Sequence, residues 1–86
     1  AGRLVDQASA DLAVSRPGPL MSEQSPEDWW HATWRAIDAL DPRNRKGVVA
    51  LGLAGQMHGA TLLDAQDEVL RPAILWNDGR SSAECA

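Results

Sequence analysis

The feature that most constrains this chain is an apolar run from Val48 to Ala54 that ends abruptly in polar side chains. Apart from one glycine every residue of the run is apolar, and it is bounded by Lys46-Gly47 on one side and Gly55 on the other. A short apolar run between turn signals is typical of a strand buried on both faces, as in a parallel or mixed sheet covered by helices. We therefore predict a buried central strand at Val48–Ala54.

Three larger side chains follow this predicted strand between two glycines: Gln56, Met57 and His58. Glycine beside a strand often marks a bulge or a close approach of a ligand to the backbone. The carboxyl end of a buried strand is also where α/β proteins tend to bind ligands. Gln56 and His58 are therefore candidate ligand contacts, with a polar loop leaving the sheet as the alternative at this point.

The length and charge of the chain restrict its class. Its 86 residues suffice for at most one small domain, and a domain of that size buries proportionally little surface. The net charge of −4 argues against nucleic acid or an anionic membrane as a partner. No stretch approaches the length of a membrane span, and no signal peptide is apparent. The single Cys85 cannot form an internal disulfide, no zinc-type spacing of ligands occurs, and a reducing, cytoplasmic setting is expected.

The clearest predicted helix begins after Ser25. Serine is a favourable N-cap, Pro26 takes the first helical position, and the acidic residues that follow complement the helix dipole. The helix is expected to end before Asp41-Pro42, because a residue preceding proline disfavours the α conformation. One face of this helix carries large apolar side chains, which could form a platform for a sugar; we predict instead that they pack against a sheet. The residues on that face are Trp30, Trp34, Ala36, Ile37 and Leu40.

Weaker signals predict the elements on either side of the helix and the strand. Loose alternation of apolar and polar residues predicts a half-exposed antiparallel strand at Gly2–Val14. Two prolines and a glycine predict a loop at Ser15–Ser25, and Pro42–Gly47 is predicted to be a charged connector.

The last third of the chain predicts a hairpin followed by a helix. Ala60–Asp64 and Val69–Trp76 are predicted strands joined by a turn, with Pro72 restricting the second strand to an edge or a bulge. A turn is predicted over residues 77–79, and Arg80–Ala86 is predicted to form the first turns of a helix capped by Asn77 or Asp78. Because that helix is too short to be stable alone and lacks a C-terminal cap, we expect the chain to be a piece of a larger domain.

Two stretches of the sequence resemble a known family. LGLAGQMHGATLLDAQDEVLRPAILWNDGRS, from Leu51 to Ser81, and SRPGPLMSEQSPEDWWHAT, from Ser15 to Thr33, are similar to the N-terminal domain of the FGGY family of carbohydrate kinases. Within that family the resemblance is to the xylulokinase branch, because glycerol kinases differ where Met57 and His58 stand. The resemblance extends over nearly the whole chain.

The resemblance implies an α/β fold and a kinase as the parent protein. Residues 1–86 are then part of a ribonuclease-H-like (actin-like ATPase) domain with a mixed sheet and flanking helices, lacking its first two strands and its C-terminal remainder. The implied reaction is ATP-dependent phosphorylation of D-xylulose to D-xylulose 5-phosphate, with ATP and Mg²⁺ bound mainly outside these residues. The family's phosphate-binding turn and catalytic aspartate have no counterpart here, so no residue is nominated as catalytic and the isolated chain is expected to be inactive.

The resemblance also implies which residues contact the sugar. Gln56, Met57 and His58 match the segment that lines the family's sugar pocket, and Trp76 and Asp78 match positions near it. An imidazole can donate or accept a hydrogen bond, which suits a polyol. For Trp76 the alternative is anchoring in the core, and for Asp78 it is capping of the following helix.

Two other functions stay open at this stage. One is an FGGY kinase for another ketose or polyol; the other is a small non-enzymatic module that recruits a protein partner through an edge strand or the tryptophan-bearing helix. We expect a small sugar, D-xylulose, as the partner molecule, with neither nucleic acid nor membrane. The remainder of the kinase or another copy of the chain is expected to cover exposed sheet edges.

Overall fold

The helix predicted after Ser25 is the largest regular element of the structure, a computed structural model that describes residues 2–86. Helix α1 spans Pro26–Ala39, with proline in its first turn as predicted. Ser25 occupies the N-cap with extended backbone, and its carbonyl accepts the N–H of Asp28, but its side chain makes no capping hydrogen bond. Leu40 is again extended, so the helix ends where the approaching Asp41-Pro42 requires.

The predicted charged connector contains a short second helix, α2, at Pro42–Arg45. Its first turn is capped by Asp41, whose carboxylate accepts the N–H of Arg43 at 2.9 Å. The carboxylate of Asp6 accepts the N–H of Asp41 at 2.9 Å and the side-chain amide of Asn44 at 3.0 Å. The first residues of the chain are thus held to the α1–α2 junction by a side chain rather than by a strand ladder.

The predicted strand at Gly2–Val14 is wrong, since these residues have no strand structure. Only Ser15, immediately after them, forms an isolated antiparallel bridge, and its partner is Glu23. The physical reason is that loose alternation of weak strand formers gives no preferred register, and no neighbouring strand among residues 2–86 imposes one.

The sheet consists of two short antiparallel strands, β1 (Glu23–Gln24) and β2 (Ala73–Ile74). Glu23 is opposite Ile74, and Gln24 is opposite Ala73. Isolated bridges add Ser15 beyond Glu23 and Ala60 beyond Ile74. Four chain segments therefore pass side by side at this point, and Ala73 and Leu75 are buried beside it.

The predicted hairpin is present as two isolated bridges, Ala60–Ile74 and Leu63–Val69. The Asp64 carboxylate organises its turn by accepting the N–H groups of Gln66 and Glu68. Between the two bridges the second strand has two more residues than the first. The excess lies in the part that contains Pro72, which cannot donate to a ladder and interrupts pairing.

The predicted central strand at Val48–Ala54 is wrong for the described part of the chain. This segment has no strand assignment, and the side chains of Val49 and Leu53 are both 98% exposed. After the bond from the N–H of Val48 to Arg45, residues 49–59 take part in no backbone hydrogen bond within residues 2–86. A strand exists only as part of a ladder. An apolar sequence indicates that a segment favours burial, but it does not supply the neighbouring strands that would bury it.

The apolar face of α1 is also uncovered. Trp30 is 59% and Trp34 48% exposed, and the two rings meet edge to face with centroids 5.6 Å apart. The buried residue of the helix is Ala32 instead. The prediction that the tryptophan face packs against a sheet is therefore wrong within residues 2–86, because a sheet of two-residue strands is too small to cover it.

The residues after Gly79 form hydrogen-bonded turns rather than the predicted helix. One bond, from the N–H of Cys85 to the carbonyl of Ser81, has α-helical spacing. Asp78 accepts the N–H of Arg80 at 3.0 Å, so it holds this turn, whereas the helix that it was predicted to cap is absent.

The chain as a whole buries little surface. Its accessible area is 7258 Å², against about 5,000 Å² for a folded monomer of this mass. Its radius of gyration is 16.8 Å, against about 12 Å for a compact domain of this length. Much apolar surface is therefore free to contact other protein. In the described residues, no helix is both long and apolar enough to cross a membrane.

Candidate functional site

The segment from Gln56 to His58 is a sharp, solvent-exposed bend. Met57 is 70% exposed and His58 is exposed as well. The backbone of His58 has a φ of 62°, the left-handed region that residues other than glycine rarely adopt. Leu20 and Asp67 have similar φ values of 65° and 64°, so the role of His58 as a sugar contact stays a prediction.

The bridge between Ala60 and Ile74 relates His58 to Trp76. The two bridge residues exchange backbone hydrogen bonds of 2.8 and 3.0 Å. His58 lies two residues before Ala60, and Trp76 lies two residues after Ile74. In an antiparallel pair these positions lie beyond the same end of the bridge. The fold thus brings both predicted contacts to one end of the hairpin, where Trp76 is 61% exposed.

Gln56 lies on the wall of a cavity of about 710 Å³ between α1 and residues 9–12 and 54–56. Trp29 forms part of this wall, and its indole N–H donates to the Gln24 side chain at 2.8 Å. Of the five predicted contacts only Gln56 lines this cavity. This cavity is therefore a groove along the helix, and it does not unite the predicted site.

Asp78 is placed differently from the other predicted contacts, because its side chain is only 1% exposed. One carboxylate oxygen accepts the N–H of Ser22 at 2.6 Å, and the other accepts the N–H of Arg80 at 3.0 Å. The Arg80 guanidinium donates to both oxygens, from Nε at 2.9 and 3.0 Å and from Nη2 at 2.6 Å. A carboxylate has about four acceptor positions, so little capacity remains for a sugar hydroxyl.

The charge of Asp78 is secured by the same contacts. The Arg80 guanidinium, and then the N–H groups of Arg80 and Ser22, hold the pKa of the Asp78 carboxyl well below its usual range against the opposing effect of burial. The group is therefore a saturated anion that fixes a turn. This geometry favours a structural role for Asp78 in the turn, and its direct contact with sugar stays a prediction.

Arg80 extends these contacts into a larger group that we call the Asp78 cluster. Its guanidinium also lies 3.0 Å from the carboxylate of Glu23 on β1, and the other oxygen of Glu23 lies 3.0 Å from the guanidinium of Arg71. The side chains of Arg80 and Glu23 are 20% and 10% exposed. The cluster is defined by Ser22, Glu23, Arg71, Asp78 and Arg80.

No sequence pattern singled out Glu23, Arg71 or Arg80. Their contacts join positions 48 and 57 residues apart, which no local pattern reveals. The one available signal is local, an aspartate followed two residues later by an arginine at Asp78-Gly79-Arg80.

The same local pattern occurs at Asp41-Pro42-Arg43 with a different outcome. The N–H of Arg43 donates to the Asp41 carboxylate at 2.9 Å, and its guanidinium donates at 2.7 Å. The Arg43 side chain is 88% exposed and forms no other ion pair in the described part of the chain. Burial and long-range partners therefore distinguish the Asp78 cluster from an ordinary capping pair.

The described residues offer no evident site for a metal. Across residues 2–86, no three His, Cys, Asp or Glu side chains are grouped so that they could hold an ion.

The chain is similar in sequence to carbohydrate kinases. Residues 1–86 match the N-terminal domain of the FGGY family of carbohydrate kinases. The chain is 64% identical over 85 residues to the xylulose kinase of Escherichia coli (strain K12), and 58% identical over 85 residues to the xylulose kinase of Klebsiella pneumoniae. Each alignment covers 98% of this chain and 18% of the relative.

A solved structure is similar as well. The chain matches the crystal structure of a xyloylose kinase from Brucella ovis with a TM-score of 0.87 and 55% sequence identity, over 90% of this chain and 17% of that one. The chain thus spans about a fifth of the length of the proteins it matches.

Proposed function

Because the chain belongs to the N-terminal domain of the FGGY family of carbohydrate kinases, we propose that it is part of a longer kinase that phosphorylates D-xylulose to D-xylulose 5-phosphate with ATP. The observation that carries this proposal is the 64% identity to a xylulose kinase across nearly the whole chain. A non-enzymatic interaction module is not favoured, since the relatives described above are all named as kinases.

The contribution of these residues is to bind and orient the sugar. Gln56, Met57, His58 and Trp76 are the proposed contacts. The bridge between Ala60 and Ile74 supports this proposal, because it places His58 and Trp76 beyond the same end of the hairpin. The imidazole can pair with a hydroxyl as donor or acceptor. Asp78 contributes to the site by holding the turn that follows Trp76, and a direct contact between its carboxylate and the sugar is also proposed.

The phosphoryl group comes from ATP, accompanied by Mg²⁺, and we place both mainly outside residues 1–86. Phosphoryl transfer depends on positioning of the acceptor and on stabilisation of charge. The residues described above supply the first of these for the sugar. No group in this chain is proposed as the catalytic base.

The remainder of the parent protein is the proposed partner of the uncovered surfaces. Within a ribonuclease-H-like domain, further strands would pair with Val48–Ala54, and a larger sheet would cover Trp30 and Trp34. Two observations support this. The accessible surface of 7258 Å² is far above that of a compact chain, and the chain matches 17% of the length of a solved kinase structure. A reducing, cytoplasmic setting is part of the proposal, and the exposed free thiol of Cys85 is what such a setting preserves.

The proposal is tested on the purified full-length protein by measuring ATP-dependent ADP release with D-xylulose and with a panel of other ketoses and polyols. We expect D-xylulose to have the highest kcat/KM. A higher kcat/KM for another sugar would reassign the substrate within the family, and no sugar-dependent ADP release would refute the proposed function.

A further inference from the structure

The Asp78 cluster joins residues on both sides of β2 to one residue of β1. Arg71 lies before β2 in the chain and Arg80 after it, yet both guanidinium groups reach the carboxylate of Glu23, one on each oxygen at 3.0 Å. Glu23 is itself paired with Ile74 in the sheet. The chain from Arg71 to Arg80 is therefore held at both ends and in the middle.

Trp76 lies inside this clamped segment. On one side of it the N–H of Leu75 donates to the carbonyl of Ser22 at 3.0 Å, and on the other side Asp78 accepts the N–H of Ser22 at 2.6 Å. Ser22 is completely buried, so both bonds are shielded from water. The position of Trp76 is thus set by bonds to residues 22 and 23, although its own side chain is mostly exposed.

The clamp also reaches the segment that carries His58. Ile74 exchanges two backbone bonds with Ala60, two residues after His58. A shift of β2 relative to β1 would therefore move both proposed sugar contacts together.

From these contacts we infer that Arg80 and Glu23 are positioning residues for sugar binding, acting through the segment that carries Trp76 rather than by touching the sugar. The inference rests on the proposed function for the identity of the ligand. A bidentate guanidinium suits this role, because its planar fork fixes the direction as well as the distance of each carboxylate. Lysine keeps the charge but not the fork.

The test uses the full-length kinase with two mild substitutions, Arg80→Lys and Glu23→Gln, and Arg43→Lys as the matched control. Arg43 belongs to the same Asp-x-Arg pattern but is exposed and lacks a long-range partner. The readouts are the Kd for D-xylulose by calorimetry, the KM for ATP, and the melting temperature.

We expect Arg80→Lys and Glu23→Gln to weaken D-xylulose binding by about 5- to 100-fold, the order of loss that a misplaced hydrogen-bonding contact causes. The KM for ATP should stay at its wild-type value. Arg43→Lys should change the Kd by about twofold or less, as for an ordinary surface substitution. If Arg80→Lys fails to fold, Glu23→Gln, which keeps the shape of the side chain, decides the question.

Two results would overturn the inference. One is a wild-type Kd for the sugar in both variants despite a lower melting temperature, because the cluster would then only stabilise the fold. The other is a parallel rise in the Kd for sugar and the KM for ATP, which indicates general damage. If the wild-type protein binds D-xylulose without phosphorylating it, the proposed function is refuted, but the Kd values of the variants still test the inference. If another sugar binds more tightly, the Kd values are compared for that sugar.

Discussion

The carboxylate of Asp78 accepts the backbone N–H of Ser22, a residue 56 positions earlier, at 2.6 Å. The donor is a main-chain group, so the contact depends on where the chain passes and not on the serine side chain. The Ser22 hydroxyl is buried without a hydrogen-bond partner among the described residues. This one bond joins the start of β1 to the turn after β2, next to a proposed sugar contact.

The first prediction concerns the pH dependence that Asp78 contributes. Its folded pKa is lowered by Arg80 and by the N–H groups it accepts, so its stabilisation is complete above the unfolded carboxyl pKa of about 3.9 and is lost as the pH falls through the folded value. Asp78→Asn in the full-length protein should therefore lower the melting temperature most near pH 6. The difference from wild type should shrink progressively below about pH 5.

Ser22→Ala is the control for this measurement. It keeps the N–H that Asp78 accepts and removes only an unpaired hydroxyl, so its acid titration should follow that of the wild type. A difference between Asp78→Asn and wild type that stays constant from pH 7 to pH 3 would contradict the assignment. If Asp78 contacts sugar directly, Asp78→Asn should weaken sugar binding more than Arg80→Lys does.

The second prediction concerns His58 as a sugar contact. In the full-length enzyme, His58→Ala leaves a buried sugar hydroxyl without a partner, at a cost of about 1–3 kcal/mol, or roughly a 5- to 150-fold loss of kcat/KM for D-xylulose. The KM for ATP should barely change. Steady-state kinetics with each substrate varied in turn provides the measurement.

The backbone at His58 calls for a second variant. Its φ of 62° is tolerated better by asparagine than by most residues, so His58→Asn keeps both a hydrogen-bonding group and the bend. We expect it to recover part of the lost activity. His31, exposed on α1, supplies the control, and His31→Ala should leave the kinetics unchanged. Low melting temperatures for both His58 variants with normal sugar kinetics would show a purely structural role.

The third prediction concerns the apolar segment Val48–Ala54. Leu53 is 98% exposed in residues 2–86, so truncating it should cost almost nothing if it stays in water. If the rest of the kinase covers the Leu53 side chain, Leu53→Ala in the full-length protein should reduce the free energy of unfolding by about 2–5 kcal/mol. Chemical denaturation measures this change, and a loss within about 0.5 kcal/mol, typical of surface sites, would mean that the segment is not buried there.

The fourth prediction concerns the 86-residue chain by itself. We expect it to release no ADP from ATP in the presence of D-xylulose, because no catalytic group is assigned to it. We also expect no sharp thermal unfolding transition, since the chain buries little apolar surface. Sugar-dependent ADP release by the isolated chain, or cooperative unfolding of a monomer, would contradict these expectations.

Local signals in the sequence predicted the helix and part of the hairpin correctly. The limits of α1 depend on Ser25, Pro26 and the Asp41-Pro42 step, all within or beside the helix. The turn of the hairpin depends on Asp64 and the residues next to it. These features could be predicted because each signal acts on residues only a few positions away in the chain.

Resemblance to a family supplied the kinase assignment and the five candidate contacts. The residue patterns alone indicated neither a kinase nor the full set of contacts. The patterns suggested Gln56 and His58 as ligand contacts. They did not indicate that Asp78 is a saturated carboxylate or that Trp76 lies beyond the same end of a bridge as His58.

By itself the sequence determined the position of α1, the placement of His58 between two glycines, and the tendency of Val48–Ala54 to avoid water. Only the tertiary structure decided that Val49 and Leu53 lie exposed within these residues, and that Glu23 receives Arg71 and Arg80 on its two oxygens. The physical reason is the range of the forces involved. Capping and turn formation are complete within a few residues, whereas a ladder or a buried ion pair exists only where distant segments meet.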